Sequence, residues 1–232
     1  MIRFEIKEGV GKITLNRPDK YHSFVREMAL QLQDALDKCN DDKSVRAILI
    51  TATGKAFCAG QDLVEATDPN GPELTQIVQE HYNPIIKKIR NMEKPVVAAV
   101  NGVAAGAGAS IALCCDIVVA CESASFIQAF SKIGLIPDSG GTFFLPRLIG
   151  MQKAAALMMT AEPVTATDAV DMGMIYKVFP DESFEEESWK LGSKLAGMPT
   201  KGLGLTKRLL NSSKSVSGST PAIGHASAAV YS

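Results

Sequence analysis

Compact apolar runs alternate along this chain with segments of helical spacing, and loops of small residues join run to helix at two places. From about Phe24 to Cys39 the apolar positions Met28, Leu32, Ala35 and Leu36 recur at helical spacing, and residues 45–51 follow as an apolar strand. A second unit repeats the order: a helix over 73–91, a strand over 95–100, a Gly-rich turn and a helix over 110–115. Residues 117–120 read as a third strand. Such alternation implies strands covered by helices, hence an α/β core with crossover connections. Ahead of these units, 2–7 and 10–15 alternate apolar and polar residues around Gly9, which predicts an opening hairpin. Beyond Pro137 the pattern is mainly helical, over 140–149, 151–160, 166–172, 184–197 and 202–212, with one strand at 175–179.

Composition narrows the partners. Nearly half of the 232 residues (46%) are hydrophobic, enough for a sizeable core, and the 24 basic and 25 acidic residues are dispersed, giving a formal net charge of -1. That balance argues against nucleic acid and for a small molecule. The five cysteines show no C-x-x-C pair, and His22, His81 and His225 lack metal-ligand spacing, so reduced structural thiols and no metal are expected. Residues 1–10 lack the apolar core of a signal peptide, so a cytoplasmic protein is expected. The stretch 95–120 is long enough to cross a bilayer, yet Asn101-Gly102 interrupts it and Asp116 lies within it. A buried strand, turn and helix account for it without a membrane.

Two turns stand out chemically. Phe57-Cys58-Ala59-Gly60-Gln61-Asp62-Leu63 and Asn101-Gly102-Val103-Ala104-Ala105-Gly106-Ala107-Gly108 each follow a strand. Small side chains admit a ligand to the backbone, and a helix start offers unpaired N–H groups that suit a developing oxyanion. The same glycines also serve tight turns and close helix packing. Gly106-Ala107-Gly108 lacks the third glycine and the later acidic residue of a dinucleotide fingerprint, and no Gly-Lys-Ser/Thr follows to make a phosphate loop.

Taken with Asn16-Arg17-Pro18, Lys94 to Gly102, Cys115-Asp116, Gly134 to Thr142 and Leu145-Pro146-Arg147, these turns resemble the crotonase (enoyl-CoA hydratase/isomerase) superfamily in order from residue 1 to about 212. The resemblance implies a crotonase-like spiral of ββα units with a helical C-terminal region. It also implies a trimer or dimer of trimers, and an acyl-CoA thioester as substrate, with coenzyme A part of that substrate and no separate cofactor. The catalytic core would span 1–190 and the helical region with a short tail 191–232. Carried over residue by residue, the two oxyanion donors are the N–H groups of Gln61 and Ala107. Coenzyme A runs along Lys20 and Tyr21 on one side and Ala59, Asp62 and Leu63 on the other, although Lys20 reads equally as a solvated surface charge.

Departures from the family pattern say more. Where family hydratases carry two glutamates, this chain has Ser110 and Phe130, which the resemblance places among the substrate-binding residues of the acyl pocket and which disfavour water addition. The remaining carboxylate is Asp138, within a run from Gly134 to Thr142 that resembles the ring-epoxide isomerases of bacterial phenylacetyl-CoA breakdown. Asp138 can equally be a helix N-cap, which would lower its pKa, whereas an apolar acyl pocket would raise it. Rival readings are a Δ3,Δ2-enoyl-CoA isomerase, an enoyl-CoA hydratase, a hydrolase or dehalogenase with Asp138 as nucleophile, and a silent acyl-CoA-binding or scaffold protein. From Asn211 onward the Ser-, Ala- and Gly-rich sequence has no amphipathic pattern and predicts a poorly ordered tail, where family members carry helices that close the pocket.

Overall fold

A computed structural model of the chain describes residues 1–213. Its larger sheet begins with the antiparallel hairpin β1 (Ile2–Lys7) and β2 (Val10–Leu15), turned by Glu8 and Gly9, both at positive φ. Next to β2, in parallel, lie β3 (Ala47–Ala52), β5 (Val96–Val100), β7 (Ile117–Cys121) and β10 (Lys177–Phe179). The smaller sheet is built from β4 (Ala56–Cys58), β6 (Val103–Ala105), β8 (Ser125–Ile127) and the antiparallel β9 (Val164–Thr165). Each long strand β3, β5 and β7 is followed by a short strand of the second sheet and then by helical turns. This is the expected spiral of ββα units.

The helices are α1 (Arg26–Asp41), α2 (Leu63–Ala66), α3 (Leu74–Ile77), α4 (Asn83–Asn91), α5 (Ala107–Cys114), α6 (Gly141–Ile149), α7 (Met151–Thr160), α8 (Ala166–Asp171), α9 (Phe184–Gly197) and α10 (Thr200–Ser213). Strand side chains alternate between faces, so neighbours on β2 reveal what covers each side. A Cβ on Gly11 would stand 2.6 Å from Cys39 of α1, while Val10 meets Gly192 of α9. Helices therefore lie on both faces, and the central strands β3 and β5 are buried apolar runs. The stretch 95–120 forms β5, β6, α5 and the start of β7. Among the described residues no helix is long and apolar enough to cross a membrane.

Several details differ from the sequence expectation. β4 and β6 lie inside the two small-residue loops, because three-residue strands are too short to show period-two alternation. Residues 211–213, expected to open the tail, continue α10; the rest of that expected tail, 214–232, lies outside the described residues. The division expected at 190/191 falls within α9. The helix expected over 73–91 is interrupted by a π turn, Val78–Tyr82, between α3 and α4. Pro84 supplies a cause: it has no N–H for the carbonyl four residues back, and its ring crowds that carbonyl. Gln33 of α1 instead donates its Nε2 to the Glu80 and His81 carbonyls, at 2.8 and 3.2 Å.

One buried charge pins the last helix. Lys207 of α10 reaches Asp116 at 2.7 Å and donates to the carbonyls of Ile89 and Lys94. Asp116 also accepts from Arg90 of α4 and from the Val96 N–H that opens β5. Burial pulls the Lys207 pKa down while Asp116 holds it up. Removing one partner of a buried pair strands the other, so Lys207→Met should cost about 3 kcal/mol in urea unfolding, with an unchanged m-value.

Candidate active site

The loop 16–24 and the turn 58–63 are tied together by a dense polar network. Arg17 Nη1 contacts Asp62 Oδ2 at 2.6 Å, and Asp62 Oδ1 accepts from Val64 N, capping α2. Burial would push the Asp62 carboxyl up, but the Arg17 guanidinium and the Val64 N–H hold it below the usual range. His22 is fully buried, accepts from Arg17 N at Nδ1 and must then donate from Nε2 to the Thr53 carbonyl. Its imidazole is a neutral brace, and burial lowers its pKa accordingly. Backbone bonds complete the seam: Ala59 N to Tyr21 O, Phe24 N to Gly60 O and Asp62 N to Phe24 O.

That seam fixes the direction of the Gln61 N–H. Phe24 pairs with the residues on either side of Gln61, so the N–H of Gln61 itself points to the opposite edge. Next to this turn, and lining the same cavity, stands the start of α5. Gly106 adopts φ 53° and ψ -125°, a conformation only glycine takes readily, and its N–H is used by Ile127 O. Ala107 then opens the helix, where an N–H has no intrahelical acceptor. Two absent side chains permit the approach: a Cβ on Gly60 would lie 3.3 Å from Ala107 N, and one on Gly108 would lie 2.7 Å from both Cβ and Sγ of Cys58.

These turns open on a cavity of about 920 Å³ whose walls include Gln61, Tyr82, Ala107, Phe130, Ile136 and Asp138. Of the residues singled out in the sequence, Lys20, Ala59, Gln61, Asp62, Leu63, Ala107, Phe130 and Asp138 line it. Tyr21 and Ser110 do not. Tyr21 is 62% exposed and contributes its carbonyl to the seam. Ser110 is buried behind Gly141, its Oγ 2.9 Å from where a Cβ there would stand. A larger groove of about 1090 Å³ runs between the hairpin and α9. Its charges neutralise one another, as in Lys12 with Glu5 and Glu185.

Asp138 does not cap a helix. The N-cap of α6 is Gly140, in the left-handed region, and the Asp138 carboxylate bonds instead to the Ser139 hydroxyl at 2.8 Å. Burial pushes its carboxyl up, partly offset by that hydroxyl. Sequence reasoning passed over Tyr82, which lines the cavity, and His22, which braces the seam. Tyr82 could have been noticed as a polar-tipped aromatic just before Pro84; His22 carries no local signal, because its partners are backbone groups.

The family model for enoyl-CoA hydratase/isomerase matches residues 5–222. The chain belongs to this family. A 1,2-epoxyphenylacetyl-CoA isomerase of Escherichia coli (strain K12) is 45% identical over 212 residues, covering 90% of this chain and 81% of that protein. A trans-2-decenoyl-(acyl-carrier-protein) isomerase of Streptococcus mutans is 38% identical over 188 residues, covering 80% and 72%. The crystal structure of an enoyl-CoA hydratase/isomerase family protein from Mycobacterium abscessus superposes with a TM-score of 0.89 at 35% identity, covering 94% of this chain and 85% of that one. Family membership makes the chain an enzyme of the hydratase/isomerase type.

Two outcomes follow from the geometry. Gly108→Ala should destabilise the protein by roughly 1–3 kcal/mol in thermal or urea unfolding, because the new methyl overlaps Cys58. In a carboxyl-carbon NMR titration Asp138 should titrate above the ordinary value of about 3.9, and Ser139→Ala should raise it further by removing a donor to the charged form. A folded pKa above the unfolded one means that folding takes up a proton between the two. The stability contributed by this group therefore grows as pH falls through that window.

Proposed function

We propose that this enzyme isomerises an acyl-coenzyme A thioester, with Asp138 as the proton carrier and the N–H groups of Gln61 and Ala107 as the oxyanion donors. The observation that carries the reading is the pairing of one half-buried carboxylate that caps no helix with two neighbouring turns in a largely apolar cavity. With the thioester oxygen between the two N–H groups, the carbon next to the carbonyl becomes acidic. Asp138 takes its proton, and the electron pair moves onto the oxygen as an enolate. The protonated Asp138 then delivers the proton further along the acyl group, so the product is an isomer and no water or cofactor enters. Desolvation that raises the Asp138 pKa makes it a stronger base.

Ser110 and Phe130 favour isomerisation over hydration. Neither can activate water, and Phe130 closes the wall beside Gly106, its ring tip 3.9 Å from where a Cβ there would stand. The acyl group we assign is the ring epoxide 2-(1,2-epoxy-1,2-dihydrophenyl)acetyl-CoA, rearranged to its oxepin form, which the identity to the Escherichia coli isomerase supports. Coenzyme A runs past Ala59, Asp62 and Leu63, with Lys20 at the mouth. We place the enzyme in the cytoplasm as a trimer or dimer of trimers; five buried free cysteines fit a reducing compartment, and exposed Met151 and Met159 offer apolar surface for assembly.

The test is incubation with the epoxyphenylacetyl thioester and with a 3-enoyl thioester, followed by chromatography of products. Conversion of the epoxide to the oxepin is expected; turnover of the 3-enoyl thioester alone would assign an aliphatic double-bond isomerase. Asp138→Asn should lower kcat by about 10²–10⁴-fold while thioester binding is retained, and a fully active variant sinks the assignment of the base.

A further inference from the structure

The π turn brings a buried phenol to the side chain of Gln61. Tyr82 closes that turn, is fully buried and lines the cavity. Its hydroxyl donates to Gln61 Oε1 at 2.8 Å, and Gln61 Nε2 donates to Glu65 Oε2 at 2.8 Å. The amide can sit only one way: a carboxylate accepts but cannot donate, so Nε2 must face Glu65 and Oε1 is left for the phenol. Burial holds the Tyr82 phenol well above its ordinary range, with Cys58, Asp138 and Glu65 adding to the shift, so the donor stays protonated. Glu65 in turn accepts from Arg26 N at the start of α1, at 2.8 Å. The Tyr82 ring also packs on Phe24, the residue whose backbone clasps both neighbours of Gln61.

We propose that Tyr82 is a positioning residue for the reaction: clamped between Tyr82 and Glu65, the Gln61 side chain holds its own peptide unit still, so that the Gln61 N–H stays aimed at the thioester oxygen. Pro84 is the sequence feature behind it, because the π turn it imposes brings the phenol to the Gln61 amide. The proposal rests on the isomerase reading, in which the Gln61 N–H is an oxyanion donor. Tyr82 itself touches no reacting atom in this account. Its loss should therefore appear as poorer polarisation of the bound carbonyl rather than as weaker binding.

The experiment uses the full chain, with 4-(dimethylamino)cinnamoyl-CoA as a probe whose absorption moves to longer wavelength when its carbonyl is polarised. The unsubstituted protein should redshift the probe. Tyr82→Phe, which keeps the ring and its packing, should shrink the shift, lower kcat by roughly tenfold and leave probe affinity within about twofold. Gln61→Met cuts the same contact from the other side and should give the same loss, and adding Tyr82→Phe to it should cost nothing more. A redshift that Tyr82→Phe leaves unchanged, or losses that add in the double variant, overturns the proposal while the isomerase reading stands. No redshift on the unsubstituted protein overturns the oxyanion reading and the proposal with it.

Discussion

The site depends on how closely the start of α5 approaches the edge of the small sheet. Gly108 lies against Cys58 and Gly60 against the Ala105–Ala107 backbone, with no room for a side chain at Gly108 and little at Gly60. Tight packing here is not core filling in the ordinary sense. It sets the separation of the two peptide units to which we give the oxyanion role, a task that tolerates only small errors in placement. The seam of Arg17, His22, Ser23 and Asp62 then holds the other side of that pair from behind, through an ion pair and a neutral imidazole that burial keeps uncharged.

Much of this was legible in the sequence. Apolar runs and helical spacing located β3, β5, β7 and nearly every helix, because long buried elements carry strong periodicity. The two small-residue turns revealed themselves by composition. Asp138 stood out as the carboxylate left in a site without the usual glutamates. What stayed hidden was short or relational. Three-residue strands carry no period, the π turn follows from one proline meeting a glutamine of a distant helix, and Ser110 proved to sit behind the wall instead of on it.

The choice between the two roles open to Asp138 shows how local signals mislead. An aspartate after proline at a helix start resembles a cap, and capping would favour the charged form. Here the chain takes the left-handed region at Ser139 and Gly140 and begins α6 one turn of the backbone later, so Gly140 caps and the carboxylate is left to the cavity. Backbone conformation, rather than residue type, decides whether that carboxylate caps the helix or faces the cavity.

The cavity is assembled from turns that belong to successive units of the spiral, at 57–63, 101–108 and 130–138, with one wall from the π turn between them. Three of these four segments borrow a clasp from outside themselves: Phe24 for Gln61, Ile127 for Gly106, and Gln33 for the Glu80 and His81 carbonyls of the π turn. The cavity is thus a property of the whole spiral and of no single unit. A change that loosens one clasp is therefore felt at groups held by another unit, even where the central strands keep their apolar core intact.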